Sequence, residues 1–87
     1  MLNREEELRF EEFMTVLRQM NSSEKLKNFL QGVLTEKELK EIPRRLEIIK
    51  MIKKGVPHQT IAERLDVGVA TVTRGSRELH LGRFKYV

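Results

Sequence analysis

The chain has 87 residues, is 39% hydrophobic and 34% charged, contains no cysteine and carries a formal net charge of +4. That length predicts one small domain, residues 1–87, which hides only about 60% of its unfolded surface when folded alone. No apolar run approaches the ~18 residues of a membrane span, no apolar signal segment follows Met1, and without cysteine there is neither disulfide nor thiolate metal site, so a soluble cytoplasmic protein is expected.

The predicted elements are all helical. Asn3 followed by Glu6 is a capping pattern, and Phe10, Phe13, Met14, Leu17 and Met20 then recur at helical spacing. Asn21-Ser22-Ser23 interrupts the pattern and supplies the next cap. Leu26, Phe29, Leu30, Val33 and Leu34 form the stripe of a second helix, in which Gly32 costs some stability. Thr35 with Glu38 is a capping box that opens a third helix, from about residue 36 to residue 54. Leu39, Ile42, Leu46, Ile49 and Ile52 stay in phase there, but Pro43 lies inside the phase. It predicts a kink or a split near Ile42, with a second half starting near Arg44. Gly55 suits the C-cap.

The last third is the most informative. Residues 57–65 read as a short helix with Ile61, Ala62 and Leu65 inward, and residues 69–79 as the next, with Val69, Val72 and Leu79 apolar. Asp66-Val67-Gly68 joins them. Two short helices, a connection of three residues and a small residue, Ala62, at the crossing make a helix-turn-helix pattern. Asp66 stands where glycine is common, and aspartate tolerates left-handed torsions. Residues 82–87 are too short for a helix and read as a basic aromatic tail, packed in part.

Charge divides along the chain. Residues 1–42 carry seven basic and nine acidic side chains, a net of −2, whereas residues 43–87 carry ten and four, a net of +6. The first part suits a protein-facing region and the second a region facing a polyanion, since basic surfaces attract polyanions. Taken alone, the charge is better explained by a solvated charged surface.

A helix that enters the major groove needs small side chains at its leading end. Val69-Ala70-Thr71-Val72-Thr73-Arg74 meets that need: Ala70 and Thr71 allow close approach to bases, Thr73 suits a phosphate, and Arg77 and His80 lie further along. Free amides after Gly68 favour an anion. Arg44 and Lys54 of a basic amphipathic stretch, with His58 and Gln59 at the start of the first motif helix, complete the expected DNA surface. A purely structural helical hairpin is the competing reading. Nothing supports catalysis or a metal: His58 and His80 are the only histidines, and the acidic runs Glu5-Glu6-Glu7 and Glu11-Glu12 read as solvated helix faces.

The run Gly68-Val69-Ala70-Thr71-Val72-Thr73-Arg74-Gly75-Ser76, preceded by Ile61-Ala62-Glu63-Arg64-Leu65, resembles the tryptophan repressor family and its less characterised relatives. Leu34-Thr35, and the segment from Arg45-Leu46-Glu47-Ile48-Ile49 to Gly55, extend the resemblance over about residues 26–80. It implies an all-α bundle with a C-terminal helix-turn-helix, an intertwined homodimer, and two recognition helices about 34 Å apart on double-stranded operator DNA, the docking for which the Trp repressor itself is an example. It also implies L-tryptophan as corepressor and no prosthetic group. Arg45 and Arg74 would sandwich the indole. Arg74 and the Thr35 hydroxyl would meet the ligand carboxylate, Leu34 would offer its carbonyl to the ammonium, and Gly75 would leave room for the ring. Glu78 stands where the family has serine, and Gln59 where it has a guanine-reading arginine. The last helix of the family is expected to be replaced by the tail. A constitutive DNA-binding regulator without an amino-acid ligand, and a helical protein-interaction module, are the alternatives.

Overall fold

The computed structural model describes all 87 residues, Met1–Val87. It contains five helices and no strand: α1 (Arg4–Gln19), α2 (Ser23–Val33), α3 (Glu36–Lys53), α4 (His58–Leu65) and α5 (Val69–His80). The chain forms two compact units, Met1–Glu36 and Lys37–Val87.

In the first unit the starts of both helices are locally encoded. The Glu6 amide donates to Asn3 Oδ1 and the Asn3 amide to Glu6 Oε1, each at 2.9 Å, a complete capping box. Glu5, Glu6 and Glu7 add negative charge at the positive end of α1. The Ser22 hydroxyl caps α2 by accepting from the Lys25 amide at 3.1 Å. The Phe13 and Phe29 rings meet at 6.0 Å between centroids, tilted by 32°. No residue of α1 or α2 is buried, and Leu8, Phe10, Met14 and Val33 are exposed.

The second unit holds the core. Its centre is Ile48, Met51, Ile61, Ala62 and Val72, flanked by Ile52, Val56, Leu65 and Val67. Two expectations about α3 are corrected here. The helix runs unbroken through Pro43, so the split near Ile42 does not occur. Proline removes one hydrogen bond, to the Leu39 carbonyl, and α3 continues past it without that bond. Its buried side matches the expected stripe only in its last turns: Ile49 is buried and Ile52 packs on the core, but Ile48 and Met51 are buried beside them and Ile42 and Leu46 are 46% and 43% exposed. Burial on α3 begins only after Glu47, where α4 and α5 pack on it, so the inward face is chosen by those neighbours.

The helix ends follow from backbone chemistry. Gly55 takes φ +81°, its amide bonds the Ile52 carbonyl at 2.9 Å, and the Val56 amide bonds the Met51 carbonyl at 3.1 Å. This is a Schellman motif, which glycine permits because it has no Cβ to clash at positive φ. Asp66 closes α4 in the left-handed region at φ 53° and ψ 51°, as its side-chain type allows. The tight turn then delivers α5 across α3. A Cβ on Gly75 would lie 3.2 Å from Ile49 Cδ1 and 3.3 Å from Ile48 Cγ2, so glycine is what lets the two helices come this close.

Candidate nucleic-acid interface

Helix α5 presents three faces, and its 3.6-residue period separates them. Val72 points into the core and is fully buried. Ala70, Thr73, Arg77 and His80 share an exposed face, with Val69 exposed at its leading edge. Thr71, Arg74, Gly75 and Glu78 share a third face that lines a groove against α3.

The exposed face has the chemistry expected for a DNA groove. No side chain caps Gly68, so the leading amides of α5 remain open to an anion. Of the expected DNA-contacting residues, Arg44, Lys54, Gln59, Gly68, Val69, Ala70, Thr71, Thr73, Arg77 and His80 are exposed and His58 is half-buried. His80 is partly committed, because its Nδ1 lies 2.7 Å from the Ser76 carbonyl. A carbonyl can only accept, so Nδ1 carries hydrogen and Nε2 faces outward.

The groove is a slot of about 280 Å³ lined by Arg45, Ile48 and Ile49 from α3, by Thr71, Arg74, Gly75 and Glu78 from α5, and by Phe84 from the tail. Arg45, Ile48 and Ile49 reach it together because they are spaced i, i+3 and i+4. Neither arginine is held in an ion pair. Two guanidinium groups flank an isoleucine floor, which is suited to a planar, anionic or zwitterionic guest. Glu78 is held from outside, with Arg83 Nε 3.5 Å from its Oε2. A smaller hollow of about 150 Å³ shares Arg45, Ile48 and Thr71 with the slot and adds Glu41, Arg44 and Val67.

Four of the six residues expected at a ligand site are thus brought together: Arg45, Arg74, Gly75 and Glu78. Leu34, the C-cap of α2, and Thr35 belong to the first unit. Ile48, Ile49, Thr71 and Phe84 were not foreseen as lining residues. The isoleucines carried a signal in their spacing from Arg45, and Phe84 carried one only as an aromatic in the tail. No three histidine, cysteine or acidic side chains gather to hold a metal ion, and no helix is long and apolar enough to cross a membrane.

A family model described as Trp repressor protein matches residues 8–87, a longer stretch than the 26–80 that carried the sequence resemblance. No curated protein and no solved structure matches the chain.

Proposed function

The chain belongs to the Trp repressor family of helical, DNA-binding transcriptional regulators, and on that premise we propose that it is a sequence-specific repressor working in the cytoplasm, with L-tryptophan as corepressor. Two copies entwine through their first units, where α1 and α2 bury nothing and leave Phe10, Met14 and Val33 exposed. Ile42 and Leu46 of α3 are exposed as well and offer a second copy further apolar surface to cover. The pair then sets two α5 helices into successive major grooves, about 34 Å apart.

One observation carries the ligand reading: the slot places Arg45 and Arg74 around a cavity of about 280 Å³ on the side of α5 adjoining its DNA face. Indole stacks between the guanidinium planes, Arg74 takes the carboxylate, and Glu78 takes the ammonium. Gly75 keeps the floor open. Because Thr71 lines the slot and is also exposed beside Ala70, a ligand there steadies the recognition helix in its DNA-competent pose. The effect equals the ligand's differential affinity for the two poses.

Calorimetry of the purified protein with L-tryptophan tests this. Heat of binding that is lost in Arg74→Ala, together with a gel shift that strengthens on adding tryptophan, is the expected result. One observation favours a constitutive regulator instead: Arg83 already neutralises Glu78. That reading predicts a gel shift indifferent to every amino acid. Absence of retention on duplex DNA even at low salt would leave only a protein-interaction module.

A further inference from the structure

The tail is more than the end of α5. After the C-cap Leu81, Gly82 takes φ +84°, its amide bonds the Leu79 carbonyl at 3.0 Å, and the Arg83 amide bonds the Glu78 carbonyl at 3.2 Å. This is a second Schellman motif, so the direction in which the chain leaves α5 is set by backbone bonds. The side chains at the two ends of its longer bond usually touch through apolar atoms. Here they are Arg83 and Glu78, and they form an ion pair with Nε 3.5 Å from Oε2. The turn delivers Phe84 to the slot, where the ring is half-buried and shares the lining with Arg45, Arg74 and Ile49. From α3, Lys53 then grips the far end: its Nζ donates to the Phe84 carbonyl at 2.9 Å and to the Val87 carbonyl at 2.6 Å. Three separate devices therefore seat one short segment on one cavity.

We infer that residues 82–87 are a latched wall of the slot, and that Phe84 is a specificity-determining residue that selects for an aromatic amino acid. The ring closes the side left open between α3 and α5, and it offers an edge or face to a planar guest. Lys53 is a positioning residue that acts through the tail backbone. The selectivity rests on the amino-acid reading of the slot, whereas the latch stands without it.

Two measurements on the 87-residue chain test the inference. Trypsin cleaves after Arg83 and Lys85, and mass spectrometry follows the loss of the tail. The native tail is expected to be cut at least several-fold more slowly than that of Lys53→Met, whose fold is checked by thermal melting. Equal rates overturn the latch whatever the ligand does. In parallel, L-tryptophan binding is followed by the change in its own fluorescence, excited beyond tyrosine absorption where the protein, which has no tryptophan, does not emit. Phe84→Ala is expected to weaken binding about three- to tenfold, the range of one lost aromatic contact, with Phe84→Tyr restoring it. Unchanged affinity in Phe84→Ala overturns the wall while leaving the corepressor reading intact. A protected tail with no uptake of tryptophan by any variant removes the corepressor reading and the selectivity, and upholds the latch.

Discussion

Gly75 combines two requirements at a single residue. It lies on the slot, and it is the point where α5 meets Ile48 and Ile49 of α3. Alanine there gains helix propensity of about 1 kcal/mol and meets two tight methyl contacts of opposing effect, so Gly75→Ala is a poor probe. Gly75→Leu has no such balance. It is expected to destabilise the fold by roughly 1–3 kcal/mol through overpacking, read as a lower urea midpoint. Ile61 is a plainer case. Its side chain is fully buried between α4 and the helices it packs on, so Ile61→Ala is expected to cost about 2–5 kcal/mol by the same measurement.

Among the elements, α3 and the α4–α5 turn contain the two backbone departures. Pro43 deletes a hydrogen bond inside α3 without ending the helix. Pro43→Ala restores that bond and removes the ring's clash with the preceding turn. It is expected to raise stability by up to about 3 kcal/mol, visible as a higher melting temperature. Asp66 is the only residue other than glycine with positive φ. A β-branched side chain suits that conformation poorly, so Asp66→Val is expected to cost about 1–2 kcal/mol and Asp66→Asn almost nothing, both read from thermal melts. Because this turn sets the angle of α5 to α4, Asp66→Val is also the substitution in the turn most apt to weaken DNA binding.

For the whole molecule, charge and unburied apolar surface set the expectations. The basic surplus of residues 43–87 falls on the part that holds the recognition helix. Affinity for duplex DNA should therefore fall steeply as salt rises. A protein with six to ten phosphate contacts loses about 10³–10⁵ in affinity between about 50 and 200 mM salt, and filter binding over that range checks it. The proposed entwined pair predicts a sedimentation mass about twice the 10.3 kDa of one chain. Leu46→Glu, which charges an exposed apolar position of α3, is expected to shift that mass toward one chain.

What the amino-acid order determined by itself is much of what neighbours within about one helical turn carry, Pro43 and the turn at Gly82 excepted. The Asn3–Glu6 box, the Ser22 cap, the glycine at 55, the left-handed Asp66 and the three-residue link between α4 and α5 were all legible, since each depends on bonds between residues at most five apart. The run after Gly68 was distinctive enough to suggest a family resemblance that grouped Arg45, Arg74, Gly75 and Glu78, and all four line the slot. Only the tertiary structure decided which stripe of α3 faces inward, because α4 and α5 choose it. It alone decided that Gly75 is a helix crossing as well as a cavity floor. It alone joined Lys53 to backbone oxygens 31 and 34 residues away and so seated Phe84 on the slot. Such contacts depend on how the chain returns upon itself, and no periodicity in the sequence records that.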